Sequence, residues 1–194
     1  MEKKPNGNKV KIYKAARKLF SRHDFDEVNV RMICSEAGVS IGTFYHYYPS
    51  KYDFTSIFYD HLDEYAIGIK QKVENGDCAA VEKVVSYFAL QGAYIAEGNN
   101  INDTMALLLI HVKHPSIDIY SHDRVTYTYV LDLLRECQEE GSLPESLSRE
   151  MLADFLFAAF RGLLIDWRAN GRSYSLGERA KLYASAVLRA YTTR

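Results

Sequence analysis

Residues 29–51, NVRMICSEAGVSIGTFYHYYPSK, hold two short helix patterns either side of one glycine, and that spacing leaves this stretch few ways to fold. Asn29 is placed to cap the first helix, in which Val30, Ile33, Cys34 and Ala37 line up apolar atoms on one face. Gly38 ends it, since glycine takes the left-handed conformation of a sharp reversal without a Cβ clash. Val39 then plugs the corner and Ser40 caps the second helix through its hydroxyl. Helix, glycine-containing turn and helix together form a helix-turn-helix unit.

The second helix divides its residues by face. Phe44 and Tyr48, four apart, point inward together, while Thr43, His46 and Tyr47 fall on another face that is small, polar and aromatic. A helix that only covers a core would usually carry Lys and Glu there. Gly42 is a further departure, because glycine near the start of a short helix costs about 1 kcal/mol relative to alanine. Close approach of something outside the chain is a sufficient reason to keep it.

The run AGVSIGTFYHYYPSK resembles the DNA-binding signature of the tetracycline-repressor (TetR) family of bacterial transcriptional regulators. It matches at Ala37, Gly38, Val39, Ser40, Gly42, Thr43, Phe44, Tyr45, Tyr47, Ser50 and Lys51. The resemblance extends over the amphipathic segment ahead of this run and, more weakly, to GLLIDWRANGRSYSL near the end. Four positions depart from the usual pattern: Asp24, Cys34, Tyr48 and Pro49. None removes a group expected to face DNA. The resemblance implies double-stranded operator DNA as partner, a small-molecule effector bound in the body, and a homodimer built by the last two helices. Chemistry then distributes the DNA-facing roles. Gly42 admits the backbone, while Thr43 and His46 offer groups to base edges. Tyr45, Tyr47 and Lys51 suit phosphate, Arg31 reaches phosphate or base, and Ser40 and Ile41 lie alongside, the latter suited to a thymine methyl or sugar.

Charge supports a partner at one end. The net charge is −1, yet residues 1–51 carry 10 Lys and Arg against 5 Asp and Glu, while the rest carries 14 against 20. A basic head on an acidic body favours phosphate at the head alone. Cys34, Cys78 and Cys137 have no paired spacing and read as reduced packing residues. The polar start MEKKPNGNK is no signal peptide, and the apolar runs at 105–110 and 155–160 are too short to span a bilayer, so a cytoplasmic protein is expected.

Helical periodicity recurs throughout and no strand pattern appears, which gives an all-α fold of about nine helices. The expected division is a three-helix DNA-binding domain over 1–50 and an effector-binding and dimerisation domain over 51–194. The first helix spans about 8–23. Ser50 is expected to cap a fourth helix to about 73, followed by helices over about 78–97, 102–113, 118–140, 148–170 and 175–191. Phe88, Tyr94, His111, Tyr120, Arg124, Tyr127 and Arg161 form an expected effector set, aromatic walls with a few polar anchors. The eighth helix is apolar around nearly its whole circumference and needs cover on all sides, so Leu152, Phe155, Leu156 and Leu163, with Leu182 and Val187, are expected at a dimer interface.

An enzyme or metal-binding protein is the rival reading, resting on His111 and His114 with Asp118, His122 and Asp123 downstream. The stretch lacks a dense ligand pattern, and no nucleophile elbow, P-loop or dinucleotide fingerprint occurs, so no catalysis, metal or cofactor is expected. A regulator without an effector is the third reading, and an enclosed cavity in the body would speak against it.

Overall fold

A computed structural model describes residues 7–20, 22–23, 25–97, 100–113 and 122–192. These form α1 (Gly7–Phe20), α2 (Val30–Ala37), α3 (Ile41–Tyr47), a 3-10 turn (Lys51–Phe54), α4 (Thr55–Glu74), α5 (Ala80–Ala96), α6 (Asn100–Lys113), α7 (Val125–Glu139), α8 (Arg149–Ala169) and α9 (Leu176–Arg189). No strand occurs among the described residues.

Two apolar cores organise these helices. The head core gathers Ile12, Ala16, Phe20, Phe25, Val28, Ile33, Phe44, Tyr48 and Phe54. Its aromatic members touch directly: Tyr48 and Phe54 have ring centroids 4.4 Å apart, and Phe20 and Phe25 are 5.0 Å apart. Leu107 and Ile110 of α6 complete it, so one helix of the body reaches into the head. The body core is larger, with Tyr87 and Phe88 of α5, Leu133 and Leu134 of α7, Leu152, Leu156 and Leu163 of α8, and Leu188 of α9.

Several boundaries differ from the sequence expectation for local reasons. The first helix stops at Phe20 rather than residue 23, and the amides of Arg22 and His23 both donate to Leu19 O at 3.0 Å in a closing turn. Asp24, one of the four departures from the family pattern, lies outside the described residues. Ser50 opens the 3-10 turn rather than α4 itself: its amide donates to Asp53 Oδ2 at 2.7 Å, and Tyr52 N donates to Ser50 Oγ at 3.1 Å. The seventh helix begins at Val125, because Arg124 is extended (φ −72°, ψ 146°) and serves as its N-cap. The fifth begins at Ala80, whose amide is capped from across the fold by Glu140 Oε2 at 3.0 Å.

The eighth helix resolves into two apolar stripes. Leu152, Leu156 and Leu163, expected to meet a second chain, are instead buried inside the protomer together with Phe160 and Trp167. Val187 is half-buried against the same core. The outward stripe of α8 carries Met151, Phe155 and Ile165, and α9 adds Leu182 and Tyr183, all exposed.

Candidate DNA interface and ligand cavity

The helix-turn-helix is held by caps at each junction. Asn29 Oδ1 accepts from Met32 N at 3.1 Å to start α2. Gly38 adopts φ 65°, ψ 39°, and Val39 N donates to Cys34 O at 3.0 Å to close the helix. Ser40 Oγ accepts from Thr43 N at 3.0 Å to start α3, and also lies 2.9 Å from Thr43 Oγ1. Inside, Phe44 is fully buried, and Tyr48 Oη donates to Lys9 O at 3.3 Å, tying α3 to α1. An ion pair between Lys18 and Glu36 joins α1 to α2. With both ends capped and one face anchored, the opposite face is presented rigidly.

That face carries most of the residues assigned to DNA. Arg31, Ser40, Ile41, Gly42, Tyr45 and His46 are exposed; Thr43 and Tyr47 are half-buried. Ile41 and Tyr45 are 45% and 54% exposed, although the Tyr45 ring also meets Phe44 edge-on, centroids 5.3 Å apart. His46 packs its ring edge-on to Tyr47, centroids 4.7 Å apart, which orients both.

Lys51 is placed differently. Its ammonium donates to Phe25 O at 2.8 Å and Val28 O at 3.0 Å and sits 4.6 Å from the Phe25 ring. Burial pushes its pKa down, with Lys113 adding to the effect and Asp26 opposing it. The lysine therefore clamps the α1–α2 loop to the 3-10 turn from within. Sequence could not reveal this, because the two carbonyls lie 26 and 23 residues away.

Gly42 makes a testable distinction. A Cβ there would meet only Ser40 Oγ, at 3.8 Å, so the fold itself does not demand glycine. Gly42→Ala is expected to stabilise the protein by up to about 1 kcal/mol and yet weaken operator binding. Thermal unfolding and a DNA titration on the same preparation check the two signs; unchanged DNA affinity would remove the close-approach role.

A second site lies in the body, a cavity of about 290 Å³ between α4, α5, α6, α7 and α8. Phe88, His111, Arg124, Tyr127 and Arg161 line it, five of the seven residues expected to contact an effector. Tyr94 does not; its ring stacks on Tyr65 instead. Tyr120 lies outside the described residues. Sequence reasoning missed Asp63, Gln91, His122, Asp154 and Phe157, which also face the space. Only tertiary packing brings α4 and α8 to the start of α7, so no local pattern marks them.

The polar groups of the cavity are tied together. Arg124 Nη2 lies 2.6 Å from Asp63 Oδ1. Tyr127 Oη donates to Asp154 Oδ1 at 3.0 Å, and burial followed by that carboxylate pushes the phenol pKa up to about 12, so it remains a neutral donor. His122 stacks on Tyr127 with centroids 4.2 Å apart and places Nε2 3.7 Å from Asp154 Oδ1.

For a metal site, His114 and Asp118 lie outside the described residues, and no cluster of three or more His, Cys, Asp or Glu with suitable geometry occurs among the described ones. No helix among those residues is long and apolar enough to cross a membrane.

The family model for bacterial regulatory proteins of the tetR family matches residues 12–55, and that for the C-terminal region of MAATS-type transcriptional repressors matches residues 119–193. HTH-type transcriptional regulator UidR of Escherichia coli (strain K12) is 25% identical over 196 residues, covering 94% of each chain. Among solved structures, FadR of Thermus thermophilus, a TetR-family transcriptional repressor in complex with lauroyl-CoA, superposes with a TM-score of 0.74 at 20% identity, covering 96% of both chains. The fatty acid degradation regulator FadR of Bacillus halodurans gives 0.71 at 20% identity, covering 92% of this chain and 97% of its own.

Proposed function

Because the chain belongs to the TetR family of bacterial transcriptional regulators, we propose that it is a repressor released from its operator when a small molecule enters the body cavity. The head, residues 1–50, reads DNA through α3, and the remainder, 51–194, binds effector and dimerises. It acts in the cytoplasm on chromosomal DNA, without a cofactor and without catalysis of its own.

The observation that carries this reading is the double membership of α6. Leu107 belongs to the head core and also lines the cavity; Ile110 sits in the head core, and His111 faces the cavity one residue later. Lys113, at the end of the same helix, forms an ion pair with Asp26 of the head. The helix α4 does likewise, with Leu62 against the head core and lining the cavity beside Asp63. A ligand that prefers one placement of α4 and α6 therefore prefers one placement of the head. In a dimer it thereby shifts the population of recognition-helix spacings. Two heads must reach half-sites about 34–36 Å apart, one turn of DNA, so a small rotation per head is enough to lose one contact.

The dimer rests on the outward stripe of α8 and α9. Phe155 is 46% exposed, Ile165 53% and Leu182 63%, and large apolar side chains exposed in this way are what an association site buries.

Selection of genomic fragments on the purified protein tests the DNA reading, and recovery of no reproducible fragment would reject it. Arg161→Ala tests the coupling. Operator affinity is expected to stay at the wild-type level while the response to effector weakens. Removing a tenfold coupling takes a loss of only about 1.4 kcal/mol of differential binding, within the range of one charged hydrogen bond. A wild-type response from the variant would remove Arg161 from the effector site.

A further inference from the structure

The cavity's chemistry points to the class of molecule it takes. Its sides are apolar, with Phe88, Ile95, Leu108, Phe157 and Leu164. Its polar groups include two guanidiniums, Arg124 and Arg161, while the Tyr127 hydroxyl is already given to Asp154 and the Gln91 amide to Tyr87. The two carboxylates on the wall already face partners. Asp154 has Tyr127 and His122, and Asp63 has Arg124.

The Asp63–Arg124 contact is close but badly aimed. Oδ1 of Asp63 is buried 2.6 Å from Arg124 Nη2, yet among the described residues it has no partner of hydrogen-bonding geometry. The pair is thus held by charge rather than by a directed bond, which is weaker than the charge-assisted hydrogen bond a well-aimed carboxylate makes to a guanidinium. Arg124 is also the N-cap of α7, whose first turn has no side-chain cap, and the positive end of that helix dipole reinforces the guanidinium. An incoming carboxylate can aim an oxygen along the Nη2–H that Asp63 meets off-axis and so find a better geometry than Asp63 has. The space of about 290 Å³ suits an acid with a body of one or two rings, or a short chain.

We propose that the effector is a small organic acid whose carboxylate takes Arg124 from Asp63, so that this ion pair is the latch that ligand binding opens. The inference rests on the reading of the cavity as the effector site. Asp63 lies on α4, next to Leu62 at the head core, and Arg124 lies at the start of α7. Once displaced, the half-buried Asp63 carboxylate has lost its cation and turns toward water, which favours a different placement of α4. The acid thus has a differential affinity for the moved state, which any effector requires.

Calorimetric titration of the full-length protein with benzoate, cyclohexanecarboxylate and octanoate, each against its own amide, and with lauroyl-CoA, tests this. The acids are expected to bind and the amides to bind at least about tenfold more weakly. Asp63→Asn is expected to bind the acids about tenfold more tightly, because the internal competitor has lost its charge. Arg124→Gln is expected to lose acid binding and Arg124→Lys to regain part of it, with thermal unfolding reporting whether each variant folds. Amides binding as well as acids, lauroyl-CoA binding more tightly than any acid, no acid binding at millimolar concentration, or Asp63→Asn leaving acid affinity unchanged would each overturn the proposal. Fragment selection separates the two levels: DNA recovered without acid binding sinks the organic-acid latch alone, and acid binding without DNA recovery sinks the regulator reading alone.

Discussion

Phe155→Glu is expected to convert the dimer into a folded monomer, whereas Leu156→Glu, one residue along the same helix, is expected to unfold the protomer. Helix α8 separates them by 100° of rotation, so the two neighbours meet different surroundings. Phe155 is 46% exposed and Leu156 only 2%. A carboxylate at 155 remains in water in the monomer and is desolvated only when a second chain covers it. Its cost therefore falls on association. At 156 it enters the core between α5 and α9, where Phe88, Phe160 and Ala184 enclose it and offer no cation. The several kcal/mol of an unpaired buried charge is then set against a total stability of about 5–15 kcal/mol. Light scattering on a sizing column gives the mass, and circular dichroism gives the helix content. A native dimer from Phe155→Glu would exclude the outward stripe as the interface, and a well-folded Leu156→Glu would contradict the packing of α8.

The same pair of residues marks what could be read before the fold was known. An all-round apolar helix implies cover on every side, and the protomer itself covers only the side of α8 that carries Leu152, Leu156 and Leu163. Periodicity cannot say which side is covered by the chain itself, because Leu152, Leu156 and Leu163 look as apolar as Met151, Phe155 and Ile165. The helix-turn-helix was legible almost residue by residue. Its signals are local: Asn29, Gly38 and Ser40 each act within four residues of themselves. The cavity was legible only in part. Aromatic and arginine side chains pointed to Phe88, Arg124, Tyr127 and Arg161, but Asp63 and Asp154 are single carboxylates that no local pattern marks. Lys51 is the clearest case of a residue whose type suggested one partner and whose surroundings supply another.

Gly177→Val is expected to destabilise the protein by about 3 kcal/mol or more. Helices α5 and α9 cross at Gly92 and Gly177, with Ala89 and Ala93 beside them, so that their backbones nearly touch. A Cβ built on Gly177 would stand 2.9 Å from Ala89 O, and one on Gly92 would stand 3.0 Å from Leu176 O. Both obstacles are backbone atoms of another helix and cannot rotate away. Valine adds two methyls beyond that Cβ, so the helices must separate and leave gaps around Ala180 and Ala184, which are buried on the same side of α9. Helix propensity works the other way by only a few tenths of a kcal/mol and does not offset the clash. Gly68 of α4 supplies the control, since a Cβ there meets nothing within 4 Å and Gly68→Ala is expected to be neutral or stabilising. For a chain of this size the valine variant should melt roughly 6–12 °C lower. The loss reaches function by two routes, because α5 carries Phe88 and Gln91 on the cavity wall and α9 carries Leu182 on the outward stripe. Weakened dimerisation and a weakened response to effector are therefore expected together, below the melting temperature. An unchanged melting temperature in scanning calorimetry would mean that α5 and α9 do not approach this closely in solution.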